Sequence, residues 1–319
     1  MIESALTQDA QGSLIGEFLR TQFTADNPLV TEAVRRMIAA GGKRIRPRLT
    51  LLAAEASGAA TGEHLELAAY MELIHVATLI HDDVVDRADT RRGVNATAID
   101  FGNRISVLAG DYLFAWIFRN VTARYPAPIP HILSATLADI CDGEVLQLRA
   151  LANIALTLPD YIEIVLKKTA SLFAASAECG AIMGAAPPEH RKALRDFGRD
   201  YGVAFQMKDD LLDMTADQGS LGKPVGNDLR ERKVTIPLIL ALRRADGEFR
   251  AEVERFYARG DDRATSRIID GIARRGGLQA TRDQIAHYAQ RAKLSLAPLA
   301  KAPAKDALLE LAGALIEEH

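Results

Sequence analysis

Proline is absent from three long stretches of the chain, residues 48–125, 131–158 and 189–223. Because proline interrupts the interior of a helix, these windows permit long continuous helices. No run of about four to eight residues shows the β-branched enrichment and the flanking turn residues of a strand. The sequence therefore predicts an all-α protein.

The helical pattern continues over most of the chain. Helices are predicted at about 12–24, 28–40, 44–58, 63–90, 103–124, 131–150, 158–186, 188–217 and 233–246. The breaks between them are short and rich in proline or glycine, as at 126–130 and 219–226. Because no long polar linker divides the chain, we expect one domain over residues 1–319.

Bulk composition excludes several classes of protein. Apolar residues make up 48% and charged residues 25%, and the net charge of −3 offers no basic field for nucleic acid. The two cysteines, Cys141 and Cys179, are far apart and suggest neither a disulfide framework nor a zinc site. No secretory signal opens the chain, and no apolar run is long enough to span a bilayer. These features favour a cytoplasmic protein without an integral membrane segment.

Two segments repeat the same arrangement of three acids. Residues 79–86 read Leu-Ile-His-Asp-Asp-Val-Val-Asp, and residues 206–213 read Gln-Met-Lys-Asp-Asp-Leu-Leu-Asp. We call Asp82, Asp83 and Asp86 the first acidic motif, and Asp209, Asp210 and Asp213 the second acidic motif. At 100° per residue, the three acids of each motif fall within an arc of roughly 100° on a helix.

Carboxylates that converge among apolar residues repel one another. Arg87 and Lys208 are too few to neutralise six acids, so we expect divalent cations to do so. Magnesium takes oxygen ligands and shares its remaining positions with water and substrate phosphates, which predicts a diphosphate substrate. One such motif alone is more often a solvated helix face or a helix cap. Two matching motifs instead favour a binding site for divalent metal ions.

Basic residues that could bind a diphosphate occur in two clusters. Residues 41–48 contain Lys43 and Arg46 beside a diglycine and a predicted helix start, and Arg91-Arg92-Gly93 follows the first acidic motif. A charge run is usually a solvated surface, but its pairing with the acidic motifs favours an anion site. Further candidates are His75, Lys168, Thr169, Gln206, Lys223 and Lys233.

Together these segments resemble the trans-isoprenyl diphosphate synthases. The resemblance rests on Gly-Gly-Lys-Arg-Ile-Arg-Pro at 41–47, the two acidic motifs, Lys168-Thr169 and Gly-Lys-Pro-Val-Gly-Asn-Asp-Leu-Arg at 222–230. It spans roughly residues 40 to 240, in the family's order and spacing. The segment Gly-Glu-Val-Leu-Gln-Leu at 143–148 is similar to the longer-chain members. Arg232 departs from the family, in which glycine often precedes the lysine that corresponds to Lys233.

The resemblance implies a fold, a cofactor and residue roles. The fold is a single large antiparallel helical bundle around a central cavity, the isoprenoid synthase type I fold, with the two motifs facing each other across its mouth, normally in a homodimer. The cofactor is Mg²⁺, roughly two or three ions per active site. Metal ligands would be Asp82, Asp86 and Asp209, supported by Asp83, Asp210 and Asp213. Isopentenyl diphosphate would contact Lys43, Arg46, His75 and Arg92. The allylic diphosphate would contact Arg91, Lys168, Thr169, Gln206, Lys223 and Lys233.

The expected reaction lengthens an allylic diphosphate by five-carbon units. Its product length would depend on the apolar wall behind the first acidic motif, where this chain has Ala77 and Thr78 in place of the aromatic residue of farnesyl-type relatives. We therefore expect a product longer than about fifteen carbons, with a farnesyl or geranylgeranyl synthase as the alternative. Phe114, Trp116 and Phe118 are candidates for the cavity floor, although ordinary core packing explains aromatic residues equally well.

Three rival functions predict different features. A terpene cyclase of the same fold would carry Asn, Ser or Thr and Glu in its second motif, which here is rich in aspartate. A metal phosphohydrolase could use His81 and Asp82 with His64 or His75, and would release inorganic phosphate. A non-catalytic subunit of a heteromeric synthase usually has broken aspartate motifs, and both are intact here.

Overall fold

The computed structural model describes residues 8–58, 63–91, 93–215, 225–260 and 262–317. Helices account for nearly all regular structure in these ranges. The first half contains α1 (Gln8–Gln22), α2 (Pro28–Ala39), α3 (Ile45–Glu55), α4 (Glu63–Val85), β1 (Thr90–Arg91), β2 (Val94–Asn95), α5 (Thr97–Arg124) and α6 (Pro128–Arg149). There follow α7 (Leu158–Val165), a π-helical segment (Leu166–Ala170), α8 (Ser171–Met183), α9 (Pro188–Thr215), α10 (Asn227–Arg230), α11 (Ile236–Leu242), α12 (Gly247–Arg259), a 3₁₀ turn (Asp262–Ala264), α13 (Thr265–Arg274), α14 (Gly277–Ser295) and α15 (Pro303–Gly313).

The prediction of an all-α protein is confirmed. In the described part of the chain, the only strands are β1 and β2, which form an antiparallel pair with Arg91 opposite Val94. Most predicted helices lie within a few residues of the observed ones. The predicted start at residue 103 corresponds to a kink in α5 at Gly102, whose φ of 78° and ψ of 155° are not helical.

The chain groups into two compact units, each with its own core. The first unit comprises Met1–Ser134, Ser176–Lys192 and Ala302–Ala304. Within it α4 packs against α3 and α5 and buries most of its apolar residues. Trp116 of α5 lies edge-on to Phe23 and Tyr70, with ring centroids 5.5 and 5.8 Å away. Trp116 is therefore a core aromatic of this unit.

The second unit comprises Ala135–Ala175, Ala193–Lys301 and Lys305–His319. Here α9 approaches the helix that runs from α7 into α8 through Gly198 and Gly202, which are one turn apart. A Cβ at Gly202 would lie 2.7 Å from the Cα of Ala170, so only glycine permits this approach. The next two positions at the same spacing are Gln206 and Asp210, and they face the same neighbouring helix.

No helix in the described ranges is long and apolar enough to cross a membrane. The apolar stretch around Leu65–Ile80 instead forms the buried body of α4. That both observed units belong to one functional domain, 1–319, stays a prediction.

Candidate active site

The first acidic motif lies at the carboxyl-terminal end of α4. The helix ends at Val85, earlier than predicted, and Arg87 adopts the left-handed conformation with φ of 52°. The amides of Arg87 and Ala88 donate to the carbonyls of Val84 and Asp83 at 3.4 and 3.0 Å, the pattern of a Schellman cap. Because a helix carries partial negative charge at this end, its dipole adds to the repulsion among the carboxylates.

The structure separates the middle acid of this motif from the other two. The Asp83 side chain is fully buried, and its Oδ1 accepts hydrogen bonds from Nε and Nη2 of Arg91 at 2.7 and 2.6 Å. Arg91 reaches it from β1, whose tight connection to β2 uses Gly93 at φ of 78°. Asp82 and Asp86 are partly exposed. The paired Asp83 thus supports the motif from inside the unit.

The second acidic motif repeats this division at the carboxyl-terminal end of α9. Asp210 is 3% exposed, and its oxygens accept hydrogen bonds from the Tyr161 hydroxyl at 2.6 Å and the Gln206 amide at 2.8 Å. Burial raises the pKa of Asp210 to about 7, although both hydrogen bonds oppose this shift. Asp209 is exposed. The middle acid is again turned inward.

Asp213 organises the loop that follows the undescribed residues 216–224. Its carboxylate accepts the backbone amides of Asn227 and Asp228 at 3.2 and 3.1 Å, and its carbonyl accepts the amide of Gly226 at 2.7 Å. Gly226 has φ of 76°, which favours glycine. Burial and the charge of Asp213 raise the pKa of Asp228 well above its ordinary value. Acidic groups thus accumulate around the end of α9.

Lys168 and Thr169 lie in the π-helical segment. The Lys168 ammonium forms an ion pair with Glu144 and donates to Oε1 of Gln147 at 2.5 Å. Gly143 allows this approach, because a Cβ there would lie 2.9 Å from the Cα of Lys168. The segment 143–148, noted for its similarity to longer-chain synthases, therefore positions Lys168.

Thr169 and Gln206 extend the contacts of Asp210. The Thr169 hydroxyl donates to Oε1 of Gln206 at 2.9 Å, and the other end of this amide donates to Asp210. These three residues, predicted separately, form one hydrogen-bond network within the second unit. Their direct contact with a diphosphate stays a prediction.

Lys233 and Arg232 have different surroundings. The Lys233 ammonium lies 2.6 Å from Oε2 of Glu231. Arg232 has φ of 61°, a conformation that favours glycine, and its carbonyl accepts the amide of Ala152 at 2.8 Å. Its guanidinium lies near Gly260, at the end of α12, where a cation complements the helix dipole.

The remaining predicted substrate contacts lie in the first unit or outside the described residues. Lys43 is exposed in the loop before α3, and Arg46 is partly exposed in its first turn. His75 is partly exposed on α4, two turns before Asp82. Arg92 and Lys223 lie outside the described residues. The roles of all five stay predictions.

The candidate chain-length residues lie on α4 and α5. Ala77 is fully buried, whereas Thr78 is partly exposed and donates its hydroxyl to the His75 carbonyl at 2.8 Å. Phe114 lies edge-on to the His81 ring at 5.7 Å. His81 places Nε2 3.1 Å from the carbonyl oxygen of Val107, which requires a proton on that nitrogen. While His81 makes this hydrogen bond, its Nε2 is not available as a metal ligand, which weakens the phosphohydrolase alternative.

Several residues of this region were missed by sequence reasoning. Tyr161, Asp228 and Glu231 were not proposed, although Asp228 and Glu231 lie within or just beyond the matched segment 222–230. Tyr161 offered no signal, because its partner Asp210 is 49 residues away in sequence. Across the described residues, no three acidic, histidine or cysteine side chains form a ready-made metal site.

Comparison with known proteins gives a consistent result. The polyprenyl synthetase family model matches residues 27–270. Octaprenyl diphosphate synthase of Escherichia coli is 36% identical over 312 residues, 98% of this chain and 96% of that protein. A short chain isoprenyl diphosphate synthase of Methanothermobacter thermautotrophicus is 37% identical over 292 residues, 90% of each protein.

A solved structure shares the fold. The polyprenyl synthase of Caulobacter crescentus, complexed with calcium and isoprenyl diphosphate, is 38% identical and has a TM-score of 0.89 over 97% of this chain and 93% of that one. The resemblance to the trans-isoprenyl diphosphate synthases is thereby confirmed. The chain belongs to the polyprenyl synthetase family, as its resemblance to these prenyltransferases implied.

Proposed function

We propose that this prenyltransferase condenses isopentenyl diphosphate with an allylic diphosphate to make an all-trans polyprenyl diphosphate longer than about fifteen carbons. The observation that carries the proposal is the shared design of the acidic motifs. Each ends a helix, buries its middle aspartate among hydrogen-bond donors and leaves an outer aspartate at least partly exposed. Such groups suit the binding of a divalent cation with its anionic substrate.

The residues fit magnesium in their chemistry. Carboxylates are hard oxygen ligands, and helix carboxyl termini favour cations. Asp82, Asp86 and Asp209 would ligate Mg²⁺, and because these motifs supply few ligands each, water and diphosphate oxygens would complete the coordination. Bound magnesium would neutralise charge that develops on the leaving diphosphate.

Basic and polar side chains would bind the allylic diphosphate. Lys168, Lys233 and Lys223, with Arg91, would bind the allylic diphosphate and stabilise it as its bond to the allylic carbon breaks. Thr169 and Gln206 would add hydrogen bonds. The diphosphate leaves with the bonding electrons, the double bond of isopentenyl diphosphate attacks the resulting carbocation, and a proton is lost to the departing diphosphate.

The second substrate would be held by the other basic cluster. Lys43, Arg46, His75 and Arg92 would bind isopentenyl diphosphate and orient its double bond toward the allylic carbon. Lys43 and Arg46 flank the start of α3, where Arg44 adopts φ of 48° and carries no side-chain cap. This leaves the first backbone amides of the helix directed toward the same loop.

One relative and two side chains support the proposal of a long product. The octaprenyl relative matches nearly the whole chain, and Ala77 and Thr78 place no bulky group on α4 behind the first acidic motif. Phe114 would lie farther along the product path. The short-chain relative has similar identity, so a farnesyl or geranylgeranyl product is the alternative outcome of the assay.

We also propose a cytoplasmic homodimer. Val107 and Leu108 of α5 are 40% and 57% exposed in the first unit, and Val145 and Leu148 of α6 are 56% and 42% exposed in the second. Apolar side chains at such positions are typical of surfaces that associate. Light scattering should give twice the chain mass, and Leu108→Glu should lower it. The free thiols of Cys141 and Cys179 suit a reducing compartment.

The function is tested with purified protein, magnesium, labelled isopentenyl diphosphate and allylic primers of five to twenty carbons. We expect extension of at least one primer, loss of activity with chelator, and release of pyrophosphate. Release of inorganic phosphate would favour the phosphohydrolase. Failure to extend any primer would favour a non-catalytic subunit, and would contradict the proposal for the single chain.

A further inference from the structure

Tyr161 is a buried phenol to which the proposed chemistry gives no role. It lies on α7 and is 5% exposed. A capping box fixes the start of this helix, because the Thr157 hydroxyl accepts the Asp160 amide while the Asp160 carboxylate accepts the Thr157 amide. The position of Tyr161 is therefore well determined by its own helix.

The hydroxyl of Tyr161 completes the hydrogen bonding of Asp210. It donates to Oδ2 at 2.6 Å, while Gln206 donates to Oδ1 at 2.8 Å. Gln206 is itself oriented by Thr169 at 2.9 Å. Because a buried carboxylate is costly without donors, this arrangement favours one rotamer of Asp210, turned into the protein.

The hydrogen bond between Tyr161 and Asp210 links the turn of α9 that carries the second acidic motif to α7. Asp209 precedes it on the same helix and is exposed, and Asp213 is held separately by the amides of Asn227 and Asp228. The absence of a side chain at Gly202 allows α9 to lie close against the helix that carries Tyr161. The hydroxyl therefore acts on the last turns of α9 through Asp210.

We propose that Tyr161 is a positioning residue: its hydroxyl holds the Asp210 carboxylate inward so that Asp209 is presented to the divalent cation. This inference rests on the proposed function, in which the second acidic motif binds magnesium. Partners of metal ligands commonly affect metal affinity by about 10- to 100-fold.

The test measures metal binding directly, without turnover. Manganese is titrated into full-length, metal-free protein in an Asp82→Asn, Asp86→Asn background, and the signal of the free ion is followed by electron paramagnetic resonance. In this background the second acidic motif carries the binding. Adding Tyr161→Phe should weaken manganese affinity about 10-fold. The phenyl ring is retained, so packing changes little.

Tyr70→Phe is the matched control. Tyr70 is also buried, and its hydroxyl also donates to a carboxylate at 2.6 Å, but that carboxylate is Glu66 of α4. Tyr70→Phe should lower the melting temperature by a similar amount to Tyr161→Phe and leave manganese affinity unchanged. Equal affinity in the Tyr161→Phe protein and its background would overturn the role of Tyr161. Absence of manganese binding in the background itself would overturn the metal site proposed for the second motif.

A second measurement separates positioning from a general structural effect. If Tyr161 acts through Asp210, then Tyr161→Phe should cause no further loss of manganese affinity once Asp210→Asn is present. Independent effects that simply add would contradict the inference, because coupled residues give non-additive changes.

Discussion

Arg91 holds one carboxylate oxygen of Asp83 with two nitrogens of its guanidinium, at 2.6 and 2.7 Å, inside the first unit. The resemblance assigns Arg91 to the allylic diphosphate. In the observed arrangement this cation already compensates a buried anion of the first acidic motif. A diphosphate contact by Arg91 would therefore be shared with Asp83, and the residue has a structural role that does not depend on substrate.

Arg91→Ala should destabilise the metal-free protein by about 3 kcal/mol, because it leaves Asp83 buried without this partner. Urea denaturation measures the free energy of unfolding. Arg36→Ala is the control, since Arg36 pairs with Asp100 at 2.7 Å but its side chain is 42% exposed. That change should cost less than about 1 kcal/mol. Equal losses of unfolding free energy in the two variants would show that the buried Arg91–Asp83 pair contributes no more stability than the exposed Arg36–Asp100 pair.

Asp82→Asn and Asp209→Asn should each lower kcat about 100-fold or more, because each removes charge that would hold magnesium against the leaving diphosphate. The assay is primer extension at saturating isopentenyl diphosphate. Asp283→Asn replaces an exposed aspartate on α14 and should retain full activity. Wild-type rates in either motif variant would refute the ligand assignment for that residue.

The stability of the metal-free protein should fall as pH rises from about 4 to 7. Burial raises the pKa of Asp210 to about 7, so the folded state binds more protons than the unfolded state in this window. Protonation therefore stabilises the fold, and this contribution is lost above pH 7. Melting curves across pH measure it, and Asp210→Asn should flatten the dependence.

Asp246 provides the opposite control for that experiment. Hydrogen bonds from the amide of Phe249 and from Arg275 lower the pKa of Asp246, so its stabilising contribution is lost as pH falls. Asp246→Asn should reduce the loss of stability in acid and leave the window from pH 4 to 7 unchanged. If the stability of the Asp210→Asn protein fell more steeply with rising pH above pH 4 than that of the unsubstituted protein, the upward direction of the Asp210 pKa shift would be contradicted.

Ala77→Phe should shorten the product, because a phenyl group would obstruct the apolar path behind the first acidic motif. Ala77 is fully buried, so the substitution also costs about 1–3 kcal/mol of stability by overpacking. Thr78→Phe, at a partly exposed position, is a second variant with less strain. Ala286→Phe on α14 is the control for an added phenyl group. An unchanged product distribution in both α4 variants would contradict the prediction.

Arg232→Gly should stabilise the protein by about 1 kcal/mol, since a left-handed backbone is strained for arginine and not for glycine. Denaturation measures the gain. Arg230→Gly, in the short helix α10, should instead destabilise by a similar amount. A loss of stability in Arg232→Gly would mean that the guanidinium near Gly260 outweighs the strain.

Helix positions were readable from the sequence because proline and glycine mark most of their ends. The end of α4 was placed too late, since Arg87 caps it in a conformation that usually signals itself with glycine. The pair β1 and β2 was missed because two-residue strands show no alternating pattern.

The site was predictable as a set of residues but not as a set of contacts. The spacing of three acids identified both motifs, yet it placed their carboxylates on one face without distinction. That Asp83 and Asp210 turn inward depends on Arg91 and Tyr161, which approach from other elements. Periodicity along one helix carries no information about such partners.

The π-helical segment between α7 and α8 changes the angular phase of one continuous helix. In an α-helix, eight residues at about 100° each would leave Tyr161 and Thr169 roughly 80° apart around the axis. A π turn advances by only about 80° per residue, which removes most of that difference by Thr169. Both side chains then point at α9, toward Asp210 and Gln206. With the same eight residues wound as a regular α-helix, Thr169 would be turned away from α9, and the two anchors that share this single helix would be uncoupled.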